Sequence, residues 1–212
     1  MEIKTWHKVA FFGSIAALII YIKRDLVKKG IGIGLSKFQT AQRLIAEYAI
    51  QWVGTKEVGT NNGFANKTFQ DMMKEVGWWD SAFWCMFFAK MVHYNTFPND
   101  RKMINKILNG LSQKSYENAR DDKSGTYTVS NTPQVGDIII FQHKNAPATG
   151  HAGIVIKVNN DNTVDTVEGN TSDKNISNGD LVARKNRTSV IGKSIGGDLV
   201  LRGFIRKVNL LT

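Results

Sequence analysis

Residues 77–92, GWWDSAFWCMFFAKMV, crowd three of the chain's five tryptophans and its single cysteine, Cys85, into sixteen positions. The spacing of the apolar residues predicts a helix over about 82–95. Phe83, Phe87 and Met91 would lie on one stripe with Phe88 and Val92 beside it, the i, i+4 pattern of a buried helix. Cys85 falls in the first turn, where unsatisfied N–H groups and the positive end of the macrodipole favour a thiolate. A lone cysteine more often packs as a small hydrophobe, so this stretch by itself leaves both readings open.

At 212 residues the chain is long enough for one domain with its own core plus an appendage. One cysteine rules out an internal disulfide, and one Cys with four His argues against a structural zinc cluster. The net charge of +10 sits at the two ends: residues 1–40 hold seven Lys/Arg against two acids, and residues 183–207 hold seven against one. Basic ends suit anionic surfaces such as phospholipid heads, cell-wall polymers or nucleic acid. Without a helix-turn-helix, RNA-recognition or zinc-finger pattern, no nucleic-acid partner is expected.

Val9 to Ile22 is a run of 14 uncharged residues, preceded by Trp6 and bounded by Lys8 and Lys23. It falls short of the roughly 20 that span a bilayer. No small-residue cleavage site follows, so it reads as an uncleaved hydrophobic anchor helix, with a buried or interfacial helix as the alternative. The heavier basic cluster lies after the run, and charge bias would then keep the rest of the chain cytoplasmic. A weakly held signal anchor or an envelope-targeting helix resolves that conflict. With a Gly-rich hinge at 29–37, residues 1–32 form the appendage and 33–212 the folded domain.

Helical spacing predicts helices over 36–53, with Ser36 as N-cap and Gly54 as stop, over 66–76, and, after the Cys85 helix, over 102–111. The rest of 97–132 carries no legible chemistry. After Pro133 the pattern turns to period two, and 137–142, 151–158, 163–169, 180–185 and 203–208 read as strands. Helices followed by an antiparallel sheet of about five strands give an α+β domain.

Two of these strands flank NNDN, a strong turn composition, and so form a hairpin centred between residues 160 and 161. His151 would face Asn170 and Gly153 would face Glu168, all on one side, with Ala152, Ile154, Ile156 and Val158 on the opposite, core side. A carboxylate that holds one ring nitrogen leaves the other free to take a proton from a thiol, the logic of a nucleophile, a base and an orienting residue. Gly150 and Gly153 are expected to leave room beside the ring for a substrate backbone. His93 lies too far along the cysteine's helix to serve it and reads as structural. His143 has no carboxylate placed by register and ranks behind His151 as base.

In order along the chain stand Gly54, Glu57, Asn61 and Gly63; Trp84-Cys85 opening a helix; Pro133, Gly136, Asp137 and Ile138 entering a strand; Gly150 to Val155; Glu168 to Ser172; and Gly203 to Arg206. This ordered set resembles the CHAP domains (cysteine, histidine-dependent amidohydrolases/peptidases) of the papain-like superfamily of bacterial cell-wall hydrolases, phage endolysins among them, over roughly residues 40–208. The resemblance implies Cys85 as nucleophile, His151 as base, Glu168 as orienting acid and Asn170 as a helper near the transition state. Some relatives bind calcium through an acidic loop before the cysteine. Only Asp80 stands there in this chain, so neither a metal nor a cofactor is expected. Many phage lysins add a carboxy-terminal wall-binding module, whereas this sequence ends with its last predicted strand, so specificity is expected from the groove or the amino-terminal segment.

The implied function is hydrolysis of peptidoglycan, as an amidase or endopeptidase on stem or cross-bridge peptides, in phage lysis or cell-wall penetration. The expected location is the cell envelope, by way of the amino-terminal helix on the membrane surface, with the host cytoplasm until lysis or the virion as alternatives. A pore-forming lysis protein or a virion component would be the delivery partner. The competing reading is a non-enzymatic virion or envelope structural protein that keeps the hydrolase fold. A thiol acyltransferase is disfavoured because Cys85 precedes the candidate histidines His143 and His151 in the chain.

Overall fold

A computed structural model describes residues 37–172 and 178–208, which belong to the compact unit Lys37–Thr212. Among them α1 (Lys37–Ile50), α2 (Lys67–Glu75), α3 (Cys85–Thr96), a 3-10 turn (Pro98–Asp100), α4 (Arg101–Ile107) and α5 (Ser112–Arg120) come first. Seven strands follow: β1 (Tyr127–Ser130), β2 (Ile138–His143), β3 (Gly150–Val158), β4 (Thr163–Thr171), β5 (Leu181–Thr188), β6 (Ser194–Gly196) and β7 (Leu199–Lys207). They make one antiparallel sheet in the order β1-β7-β2-β3-β4-β5, with β6 paired to β7.

The α+β organisation is the expected one, but the sheet has seven strands where about five were predicted. β1 and β6 span only four and three residues, too short for alternation to register. α5 escaped because its buried positions include Ser112, Gln113 and Ser115, which leave no apolar stripe to read. The predicted amino-terminal hydrophobic helix and its hinge up to Ser36 fall outside the described residues, and Lys37, the last residue of that hinge, opens α1. Among the described residues no helix is long and apolar enough to cross a membrane.

α3 is the centre of the core. Every residue from Cys85 to Tyr94 is buried, which exceeds the single stripe that periodicity predicted. The helix starts at Cys85 rather than near Ala82, so Phe83 leaves the stripe and stands 61% exposed. Ser81 is the reason: its φ of 75° and the bond from its N–H to the Asn61 carbonyl (2.6 Å) turn the chain before a helix can form. α3 packs on β3 and β4. At Gly169 a Cβ would fall 2.6 Å from the Trp84 ring and 2.8 Å from Phe88 Cβ, so only bare backbone lets the helix seat this closely.

The sheet buries both faces. Ile138, Ile140, Ala152, Ile154 and Val167 join the helices in the main core. Ile139, Phe141, Val155, Val164, Leu199, Leu201 and Phe204 form a second cluster on the other side. Val158, expected in the core, is 41% exposed, because a register shift between Val155 and Lys157 breaks the alternation towards the turn.

Candidate active site

The loop before α3 is buckled from upstream. Trp84, fully buried, donates from Nε1 to Glu57 Oε2 at 2.6 Å, and the Asn61 N–H donates to Glu57 Oε1 at 3.1 Å. With the Asn61–Ser81 bond, these contacts fix the residue preceding Cys85. They give the Gly54–Gly63 motif a structural role, which is to hold the nucleophile's turn. Cys85 is 6% exposed and stands in the wall of a groove of about 280 Å³, together with Phe83, Leu111, His143 and Thr149.

On the hairpin, Ile154 pairs with Val167 and Val155 with Thr166, the register predicted from the turn. His151 pairs with Phe141 of β2 and stacks on its ring at 6.4 Å between centroids. Gly153 sits against Glu168: a Cβ there would lie 2.5 Å from Glu168 Cγ. At Gly150 a Cβ would strike the Phe141 carbonyl and the Gln113 amide. Gly153 therefore clears space for Glu168 rather than for substrate, whereas Gly150 makes way for Phe141 and Gln113 and also lines the groove at Cys85.

His151 and Glu168 are both fully buried, with His151 Nε2 3.0 Å from Glu168 Oε2. His151 Nδ1 makes no hydrogen bond of good geometry, yet the Cys85 sulfur lies near enough to govern its charge. Burial, the largest single influence, opposes the imidazolium. Cys85 and the Glu168 carboxylate together outweigh it and raise His151 to about 9. For Glu168 burial again acts first, pushing the carboxyl upward, and the bonds from Arg187 and His151 reverse it and hold the group at about 2.

Arg187 was not anticipated. Its Nε donates to Glu168 Oε1 at 2.8 Å and its Nη2 to Oε2 at 2.6 Å, while Thr166 Oγ1 adds a bond to Oε1 at 2.6 Å. Residues 183, 185 and 187 of β5 share the face of Glu168, so alternation could have found the arginine. The predicted strand ended two residues short of it. Asn170 is also fully buried, but it follows a register shift in β4, has φ 55°, and leaves both side-chain amide atoms without a partner. His151 and Glu168 thus come together as the register implied, Cys85 acts on His151 as the resemblance implied, and Asn170 bonds to none of the three. His93 is fully buried with Nδ1 3.1 Å from the Tyr127 hydroxyl, a structural histidine. Burial, helped by Lys207, holds it neutral down to about 3. His143 ends β2, lines the groove and pairs with Thr149 Oγ1 at 2.9 Å, with no carboxylate among its hydrogen-bond partners.

The strand-entry motif is structural. Asp137 is buried, accepts from the Gln134 N–H at 2.7 Å, and takes Arg206 Nε and Nη2 at 2.9 and 2.8 Å. This ties the start of β2 to the closing strand.

No curated protein matches the chain. Among solved structures, "The crystal structure of Ly7917" is similar at 14% identity and a TM-score of 0.47, over 78% of this chain and 62% of that one. The present chain therefore spans under two thirds of that protein's length. Residues 76–170, from the end of α2 through Cys85, His151 and Glu168 to Asn170, match the family model described as the CHAP domain. Over residues 76–170 the chain is thus similar to the CHAP family, whose members are cysteine- and histidine-dependent amidohydrolases/peptidases of papain-like fold.

Proposed function

We propose that the chain cleaves peptidoglycan at an amide bond of its stem or cross-bridge peptides by a Cys85–His151–Glu168 mechanism. The observation that carries this reading is the buried imidazole held by Glu168 at 3.0 Å on Nε2, with its Nδ1 left unbonded and its charge acted on by Cys85. In the acylation step the Cys85 thiolate attacks the scissile carbonyl carbon. The first N–H groups of α3 stabilise the oxyanion, and His151 passes its Nδ1 proton to the leaving amine. Water then attacks the thioester with His151 as general base, which releases the acid and regenerates the thiol. Glu168 keeps Nε2 protonated and the ring in place throughout. Asn170, a buried amide with unspent donors and acceptor, is assigned to the intermediate rather than to the resting site.

The same reading places the protein in phage lysis or wall penetration. Its basic amino-terminal segment would hold it at anionic lipid, and a pore-forming partner or a virion would deliver it. Purified sacculi test the chemistry: Cys85→Ser and His151→Ala should each abolish release of muropeptides. Full activity in either variant overturns the assignment. Glu168→Gln should retain a fraction of the rate, since an amide can orient the imidazole without balancing its charge.

A further inference from the structure

A second hollow of about 650 Å³ adjoins the groove at Cys85; the two share Phe83, Gly110 and Leu111. Its rim is apolar and exposed, with Trp79 at 63%, Phe83 at 61% and Leu111 at 64%. Among the described residues a single charged side chain lines it, Lys90 of α3, which is only 7% exposed. Lysine is almost never this buried without an acid beside it. Among the described residues no acid pairs with Lys90, and its ammonium donates to one acceptor, the Val76 carbonyl, at 2.8 Å. An ammonium carries three donors, so one bond to a helix-end carbonyl leaves most of its capacity unspent. Burial lowers its pKa, and no neighbouring charge acts to restore it.

We propose that this hollow is a substrate subsite for a free carboxylate on the peptide being cleaved, with Lys90 as the counter-ion and Trp79, Phe83 and Leu111 as the apolar walls beside it. The inference rests on the reading of the chain as a peptidoglycan amidase or endopeptidase and names which stem peptides it prefers. Continuity with the groove puts the carboxylate on the same bound peptide as the bond presented to Cys85. Stem peptides offer such a group from two sources, an acidic residue within the chain and the terminal carboxylate, and both present the same chemistry to Lys90. A charge-assisted hydrogen bond from a desolvated ammonium is lost when the carboxylate becomes a neutral amide. The enzyme should therefore discriminate between the two by about 10- to 100-fold in kcat/KM.

The test uses the full chain and synthetic stem peptides in which either the internal or the terminal carboxylate is amidated, one at a time. Wild type should lose about 10- to 100-fold on one of the two amidated peptides, which identifies the source. In Lys90→Met the ratio of free to amidated substrate should fall to near one. Lys90→Gln, which keeps a donor for the Val76 carbonyl, should show the same loss and guards against misfolding of the methionine variant. Wild type cleaving free and amidated peptides equally, or either variant retaining the wild-type ratio, overturns the subsite. A wild type that cleaves none of the peptides and releases nothing from sacculi overturns the peptidoglycan reading instead, and the subsite falls with it.

Discussion

Arg187 grips Glu168 through both carboxylate oxygens, at 2.8 and 2.6 Å, from the neighbouring strand β5, four residues beyond the residue that pairs with Glu168. The fork-to-fork geometry is the strong form of an arginine–carboxylate contact, and burial removes competing water. It gives the buried Glu168 carboxylate a positive partner beside His151.

Removing the arginine leaves Glu168 ionised in a buried place without its counter-ion. Arg187→Met should cost about 3–5 kcal/mol of stability. It should also move the acid limb of the kcat/KM profile upward by about one pH unit or more, because Glu168 protonates sooner. Arg187→Lys should recover part of both. Adding Glu168→Gln to Arg187→Met should restore stability without restoring the rate. A purely structural arginine would leave the pH profile where it was.

The same bonds set a stability term in acid. Glu168 ionises at about 2 in the fold against an ordinary 4.5, so its contribution is complete above about 4.5 and is lost as the pH falls towards about 2. Urea unfolding across that range should show a steeper fall for wild type than for Glu168→Gln. Equal slopes would mean that the carboxylate is not held as described.

Of the two influences that raise His151, the first is the sulfur of Cys85. Cys85→Ala should therefore move the imidazole titration, followed by NMR, to lower pH than in wild type, where the imidazolium persists to about 9. In the same terms Cys85 should react with iodoacetamide near pH 6 faster than free cysteine does and lose that advantage in His151→Ala. An unreactive thiol would favour a hydrolase fold retained for structure.

Deletion of residues 1–30 should leave muropeptide release from purified sacculi intact, because the site lies wholly within the described unit from Lys37 onward. It should abolish fractionation with membranes and lysis from within. Loss of folding on truncation would show that the segment belongs to the core.

The sequence announced the hairpin register around His151 because the NNDN turn and the alternation of strands 151–158 and 163–169 point to one pairing. It announced Cys85 at a helix start because aromatic density and the lone cysteine coincide. Arg187 lay on the face that alternation assigns to Glu168, but beyond the point where the predicted strand stopped. Lys90 was not legible in the same way, because its role depends on a side chain reaching into a hollow between loops, and neither periodicity nor spacing encodes that reach. Asn170 shows the limit from the other side: strict alternation set it opposite His151, while the register shift after Glu168 gives it a left-handed backbone and a different outlook.

The nucleophile and its base belong to different layers: Cys85 rides on the helix, His151 on the strand, and Gly169 is where the two layers touch. The gap between sulfur and imidazole is therefore a dimension of the core, set by how deeply α3 settles on β4. Turnover becomes a gauge of packing. A methyl group added at Gly169 would lift the helix against Trp84 and Phe88 and slow the enzyme while leaving every reacting group chemically intact. Sub-ångström seating of a buried helix thus sets the tolerance to which this catalyst is built.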